Sequence, residues 1–188
     1  WQRPLPAVKE MGELESRTQS IEAFSFEAYL GGKTVKYLNN TIENADIGIV
    51  SHNYEKIKSF ELAEGRYFSE TESATGRPVT VIGSGIAEGL FSDISNALGK
   101  EITILGRKAT VIGVFKQEGS SILETSSDNM ILLPLNFGRN IIDIRSDRID
   151  PFIKAKVKKD VPMQYASEEM KSAMRSIRRL RPRDDDNF

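Results

Sequence analysis

The chain has 188 residues, of which 39% are hydrophobic and 28% charged, and its formal net charge is −1. This is the composition of one globular domain or two small ones, and the balanced charge gives no reason to expect nucleic acid as a partner. Cysteine is absent, which excludes disulfides and thiolate metal sites. No apolar run approaches the roughly 18–20 residues that cross a bilayer.

The first fifty residues predict a helix and a three-stranded meander. The helix follows Pro6, where apolar residues recur at helical spacing. Two turn signals, Gly31-Gly32 and Asn39-Asn40, delimit the strands, and alternation in the first strand assigns Ser25 and Glu27 to its solvent face. The predicted strands are 21–30, 35–37 and 42–50.

The middle of the chain carries the strongest apolar periodicity. After a short helix near Tyr54, residues 64–68 are predicted as irregular and 69–76 as a polar loop. A β-branched run then predicts a buried strand, followed by a tight turn and a short helix. Two further strands follow, joined at Gly106, because glycine suits the positive φ of a two-residue hairpin. These three strands are predicted at 79–82, 101–105 and 109–115.

After residue 115 the sequence predicts a polar loop, three strands and a long helix. The strands are predicted at 130–133, 141–144 and 152–157. The helix begins at Pro162 and ends in the basic cluster Arg175–Arg183. A solvated helix end is the simplest interpretation of this cluster, and contact with lipid or a partner is the alternative.

No catalytic, cofactor or metal site is expected. Gly83-Ser84-Gly85 resembles a dinucleotide-binding turn, but the acidic residue required about 20 positions later is missing, and Gly106-Arg107 stands there. A tight strand-to-helix turn explains the glycines better. His52, the only histidine, lacks the partners of a general base or a metal ligand.

The polar loop after residue 115 is the candidate partner contact. Two apolar residues stand among polar ones there, which favours contact with another molecule, while a loop that touches nothing is the alternative. The candidate contact residues are Glu118, Gly119, Ser120, Ser121, Ile122 and Leu123.

Five short motifs follow one another in a fixed order. They are Gly65-Arg66-Tyr67-Phe68, Val79–Gly83, Leu90-Phe91, Leu98–Ile102 and Val111–Val114. As an ordered set they resemble the MacB-type periplasmic core domain of MacB/FtsX-like ABC transporter permeases. The resemblance covers about Tyr54 to Pro134 and extends to Phe188, whereas the first fifty residues match only in general layout.

The resemblance implies an α+β fold with two subdomains. A mixed α/β subdomain would be built from both chain ends, residues 1–70 and 150–188, with a β-rich subdomain, residues 71–149, inserted between them. It also implies a position on the periplasmic side of the inner membrane, between two membrane spans. The sequence begins at Trp1 without a methionine and ends in a charged run, so we expect a domain excised from a longer protein. The alternative is a protein whose own ends have simply been trimmed.

Permeases of this family work as dimers with a cytoplasmic ATPase, often beside a periplasmic adaptor. The resemblance therefore implies the parent chain's transmembrane helices, the ATPase, a second permease copy and an adaptor as partners. The expected function is mechanical and non-enzymatic, because it couples ATP-driven membrane motion to export or release of substrate. This coupling requires both chain ends to meet in one part of the fold. A periplasmic module that senses or binds a ligand or peptide is the alternative.

Overall fold

The computed structural model describes residues 4–118, 127–146 and 149–188. The helices are α1 Val8–Arg17, α2 Tyr54–Ile57, α3 Glu70–Thr75, α4 Ser84–Phe91, α5 Leu135–Arg139 and α6 Met163–Ile177. The strands are β1 Ile21–Tyr37, β2 Asn40–Val50, β3 Leu62–Gly65, β4 Val79–Ile82, β5 Glu101–Ile104, β6 Arg107–Phe115, β7 Met130–Pro134 and β8 Phe152–Val157. Within these ranges, no helix has both the length and the hydrophobicity that a membrane crossing needs.

All eight strands belong to one mixed sheet, which, together with the helices, confirms the predicted α+β class. Its order is β2-β7-β4-β6-β5-β1-β8, with β3 added to β6. The pairs β2–β7 and β4–β6 are parallel, and the other pairs are antiparallel. Since β1 also pairs with β2, six of the strands are linked in a closed ring of pairings. Both predicted subdomains contribute strands to this sheet, and their boundaries stay a prediction.

The central strand–helix–hairpin unit is confirmed. The chain leaves β4 at Gly83 and enters α4 at Ser84, and the β5–β6 turn has positive φ at Leu105 (50°) and Gly106 (76°). Buried residues of this unit pack with β1, β2 and β7 in the largest hydrophobic cluster. Burying these side chains stabilises the domain mainly because it removes apolar surface from water.

The predicted turn at Gly31-Gly32 is wrong. The chain continues through it as one 17-residue strand, β1, whose pairing with β2 shifts register between Leu30 and Lys33. Gly32 has φ of 66°, a conformation typical of a bulge residue. The two glycines therefore bend a strand without ending it, and the predicted three-stranded meander becomes a single hairpin.

Three other segments differ from prediction. Residues 64–65, predicted as irregular, are the end of strand β3. The polar stretch 69–76 contains α3, because Ser69 and Glu72 form a capping box that holds the first turn. The segment 141–144, predicted as a strand, consists of turns after α5. Its Ile144 is nevertheless buried, so the apolar residues there serve the core without strand pairing.

Candidate functional site

The first and last helices pack against each other at the beginning of β1. Leu14 of α1 and Met174 of α6 are both buried there, together with Ile21 and Phe24 of β1. The α6 carboxylate Glu169 also accepts hydrogen bonds from the backbone N–H groups of Gln19 and Ser20, each at 2.9 Å. Hydrogen bonds from Ser20 and Gln19 hold the pKa of Glu169 below its usual value. These contacts fix α6 to the strand that follows α1.

An ion pair joins the two helices at their ends. Arg178, directly after α6, donates from Nε to Glu10 Oε1 at 2.8 Å and from Nη2 to Glu10 Oε2 at 3.1 Å. The side chains are only 7% and 16% exposed, so this bidentate pair is shielded from solvent. Glu10 Oε2 also accepts from the N–H of Ala7 at 2.8 Å and thereby caps α1.

The same guanidinium holds the backbone of both chain ends. Arg178 Nη1 donates to the carbonyl oxygen of Pro4 at 3.3 Å and to that of Asn187 at 2.5 Å. The ring of Phe188 lies 6.0 Å from the guanidinium carbon. The first and last described segments thus meet at one side chain, as the mechanical hypothesis requires. We call Glu10, Arg178, Pro4 and Asn187 the terminal clasp.

The solvated-end interpretation of the basic cluster is wrong for Arg175 and Arg178. Arg175 donates to Asp186 Oδ1 at 2.5 Å and to the carbonyl oxygen of Arg181 at 2.6 Å. Lys171 lies 2.7 Å from Asp186 Oδ2, and hydrogen bonds from Lys171 and Arg175 lower the pKa of that carboxyl. The acidic tail therefore folds back along α6 and neutralises part of the cluster.

An apolar pocket lies beside the clasp. Its volume is about 380 Å³, and its apolar walls come from both ends of the chain and from β8. The lining includes Leu14, Phe152, Met170, Met174 and Phe188.

Of the six candidate contact residues in the loop, the structure describes only Glu118. Gly119, Ser120, Ser121, Ile122 and Leu123 lie outside the described residues. The Glu118 N–H donates to Asp128 Oδ1 at 3.1 Å, and its Oε2 accepts from the N–H of Ser127 at 3.1 Å. Asp128 Oδ1 also accepts from Ser84 Oγ at 2.9 Å. The two sides of the loop are thus joined to each other and to the start of α4.

The close approach of residues 127–128 explains the glycine that directly follows β4. A Cβ on Gly83 would lie 2.1 Å from the carbonyl oxygen of Asp128 and 2.3 Å from that of Ser127. Glycine is required here because the backbone of residues 127–128 passes so closely. The structural interpretation of the turn is therefore confirmed.

Sequence reasoning missed a buried charge on β1. Ser25 and Glu27 were predicted on a solvent face, but both are fully buried. Glu27 Oε2 lies 3.1 Å from Lys154 Nζ of β8 and accepts from the hydroxyl of Tyr29 at 2.8 Å. The alternating pattern contained no signal for this burial, because it arises from coverage of the second face by other parts of the chain.

His52 lies 3.5 Å from Glu55 through Nε2, next to the rings of Tyr67 and Phe68. Within residues 4–118, 127–146 and 149–188, no three His, Cys, Asp or Glu side chains are grouped to hold a metal ion.

The fold is shared with two solved structures. The extracellular domain of the Gram-positive ABC-type transporter YknZ matches with a TM-score of 0.75 and 16% identity, covering 94% of this chain and 86% of that domain. The periplasmic region of MacB from Actinobacillus actinomycetemcomitans matches with a TM-score of 0.73 and 19% identity. The match covers 90% of this chain and 73% of the MacB region.

Curated relatives are transporter components. The pyoverdine export ATP-binding/permease protein PvdT of Pseudomonas aeruginosa PAO1 is 33% identical over 135 residues, covering 69% of this chain and 17% of PvdT. The macrolide export ATP-binding/permease protein MacB of Marinobacter nauticus is 31% identical over 108 residues. The match covers 57% of this chain and 16% of that MacB. The chain therefore spans about one sixth of the length of these relatives.

The sequence profile described as the MacB-like periplasmic core domain matches residues 3–173. This match extends through the first fifty residues, which resembled the family only in layout, and it includes most of α6. Both the profile and the MacB structure correspond to the periplasmic side of the membrane. With sequence profile and fold in agreement, the chain belongs to the family of MacB-like periplasmic core domains of ABC transporter permeases.

Proposed function

We propose that this domain transmits ATP-driven motion of membrane helices to the periplasmic side and so drives export or release of a substrate. The terminal clasp is the observation that carries the proposal. Arg178 contacts Pro4 and Asn187, so a force applied at either end reaches the same side chain. A domain attached to the membrane through both ends would then move as one body with them, without catalysing a reaction itself.

The proposed partners follow from the relatives' names. PvdT and MacB are ATP-binding/permease proteins, and the matching domain is a small part of each. We propose that the parent chain's transmembrane helices and a cytoplasmic ATPase supply the motion, with a second permease copy and a periplasmic adaptor completing the assembly. We also propose that residues 1–70 and 150–188 act as the membrane-side subdomain, with residues 71–149 as the inserted one.

The loop from Glu118 to Leu123 is proposed to contact a periplasmic partner. Its base is supported by the hydrogen bonds among Glu118, Ser127, Asp128 and Ser84. A loop with a fixed base is suited to transmit a displacement of the body to whatever it touches.

The decisive experiment replaces Arg178 with Met in the full-length parent transporter. Met keeps the apolar stem and removes all five donors, so it opens the clasp and leaves the ATPase untouched. We expect ATP hydrolysis to continue while export of the parent transporter's substrate falls by at least tenfold. Arg183→Met is the matched control, since this exposed arginine lies in the same tail. Unchanged export by the Arg178→Met transporter, at normal membrane levels, would refute the mechanical proposal.

The apolar pocket beside the clasp favours one other function, a module that binds an apolar ligand or peptide. Its 380 Å³ lies at the lower end of the range for ligand sites, about 300–1,000 Å³. A thermal-shift screen of apolar peptides tests this alternative, because a ligand that binds the folded state raises the melting temperature. Met170→Trp, which fills the pocket, should abolish any such shift.

A further inference from the structure

The turn between β1 and β2 presents an exposed leucine. Tyr37 pairs with Asn40, so the hairpin turn consists of only Leu38 and Asn39. Leu38 has φ of 50° and is 85% exposed. Two-residue hairpins favour Gly, Asn or Asp where φ is positive, because the Cβ of other residues crowds the backbone there. Leu38 therefore occupies a strained position, and the folded chain gains almost no burial from it.

A second leucine of this chain shows what is unusual about Leu38. Leu105, in the β5–β6 turn, has the same φ of 50°. Its side chain packs against the largest hydrophobic cluster, so burial offsets the strain there. Leu38 has no such compensation, since it is the most exposed large hydrophobic residue of the part of the chain that the structure describes. Strained positions of residues other than glycine cluster at functional sites.

The hairpin that carries Leu38 is held in place by the end of α4. Asn40 Nδ2 donates to the carbonyl oxygen of Leu90 at 2.7 Å. The ring of Tyr37 lies 4.5 Å from the ring of Phe91. Contacts on both strands thus fix the turn, and a turn that is already fixed loses less conformational entropy when it binds.

The neighbouring side chains indicate what kind of molecule would receive Leu38. Residues 39–41 are two asparagines and a threonine, and the nearest charges on either side, Lys36 and Glu43, have opposite signs. A tip without net charge is not attracted to anionic lipid headgroups. Its amide side chains would also lose hydrogen bonds in the hydrocarbon of a bilayer. A pocket in a protein surface can instead bury the leucine and pair the amides at its polar rim.

The chain's own apolar pocket is out of reach of Leu38. Phe152 lines that pocket and pairs with Glu27 of β1. From Glu27 the strand continues to Tyr37 at about 3.3 Å per residue, so Leu38 lies roughly 30 Å away. Another molecule is therefore needed to bury the leucine.

We propose that Leu38 is the anchor of an interface with a second, different protein. Its side chain inserts into an apolar pocket of that protein, and Asn39 forms hydrogen bonds at the rim of the pocket. A few buried apolar anchors typically carry most of the binding energy of such an interface. The proposal does not depend on whether the domain transmits motion from the membrane.

Leu38→Asn in the full-length parent transporter tests the proposal, because Asn tolerates positive φ and removes the apolar anchor. We expect export to fall at least fivefold, while the melting temperature of the purified chain stays the same or rises. Leu38→Met, which keeps an apolar side chain, should retain export. Met163→Asn is the control, since Met163 is 71% exposed on α6 and should not affect export. Unchanged export by Leu38→Asn, or a fall in its melting temperature, would overturn the proposal.

A photoreactive benzophenone side chain at position 38 of the transporter identifies the molecule that is contacted. After irradiation of cells, we expect an adduct with one protein other than the transporter, identified by mass spectrometry. The adduct should be absent when the same side chain stands at position 163. An adduct with a second transporter copy, or no adduct, would overturn the proposal. Binding of the purified chain to phosphatidylglycerol vesicles that Leu38→Asn abolishes would also overturn it.

The two export measurements separate this interface from the mechanical role. Reduced export by Leu38→Asn with normal export by Arg178→Met would support the interface and refute the mechanical proposal. The reverse result would refute the interface and leave the mechanical proposal standing.

Discussion

Arg178 Nε lies 2.8 Å from Glu10 Oε1, although the two residues are 168 positions apart in the sequence. The pair is shielded from solvent, and each partner also has a second role, since Glu10 caps α1 and Arg178 holds both chain ends. Bringing together two residues so distant in the sequence carries a cost in chain entropy. Local contacts alone do not offset this cost. The hydrophobic cluster between α1, β1 and α6 provides the compensating burial.

Breaking this ion pair should destabilise the domain. Arg178→Met leaves the Glu10 carboxylate without its shielded partner, so we expect a loss of about 2–4 kcal/mol in the free energy of unfolding. Urea denaturation measures the loss. In the double variant Glu10→Gln/Arg178→Met the loss should be smaller than the sum of the single losses. Strict additivity would show that the two side chains do not interact.

Two lysines of β8 offer a matched comparison of ion pairs. Lys154 pairs with fully buried Glu27, whereas Lys156 pairs at 2.9 Å with Glu22, which is 46% exposed. Lys154→Met should cost about 2–4 kcal/mol, because an uncompensated charge stays buried, and Lys156→Met only about 0–1 kcal/mol. Equal losses in chemical denaturation would contradict this account.

Glu72 should give the domain an acid-sensitive contribution. Hydrogen bonds from Arg66, at 2.7 and 2.8 Å, lower the pKa of Glu72 to about 2 from its ordinary value of 4.5. Since the folded-state pKa is the lower one, this stabilisation is complete above about pH 4.5 and is lost as the pH falls toward 2.

Glu72→Gln tests the contribution of that carboxylate. The variant keeps a residue able to form the capping box, so it mainly removes the ion pair. We expect a loss of about 1–2 kcal/mol at pH 7 that shrinks as unfolding is measured at lower pH. Glu70→Gln, in the same helical turn but exposed, is the control. A loss that did not depend on pH would argue against the ion pair.

Alanine substitutions at Gly83 and Gly12 should change the stability of the domain in opposite directions, because the backbone approaches closely only at Gly83. Gly83→Ala places a Cβ against the backbone oxygens of residues 127 and 128, so we expect a loss of at least about 2 kcal/mol. A Cβ on Gly12, inside α1, meets nothing within 4 Å. Gly12→Ala should therefore stabilise the domain by about 0.5–1 kcal/mol through helix propensity. Thermal melting of both variants measures the contrast, and a stable Gly83→Ala domain would refute the packing argument.

The elements that could be predicted from sequence were those that local patterns determine. The run Val79–Ile82 and the Gly106 hairpin are examples, because strand propensity and turn chemistry act within a few residues. Gly31-Gly32 could not be resolved in this way, since the same residues permit a turn or a bulge and tertiary pairing decides between them. Glu27 and Arg178 also escaped prediction. Their ion-pair partners, Lys154 and Glu10, lie more than 100 positions away, which no local pattern encodes.

The closed ring of strand pairings affects how readily the domain can aggregate with other protein chains. Of the described strands, only β3 and β8 have a single partner, so little unpaired backbone is available for another chain to join. On β8 the exposed side chains are Lys154 and Lys156. Charged side chains on an outermost strand discourage intermolecular sheet extension. This topology thus limits aggregation through intermolecular strand pairing.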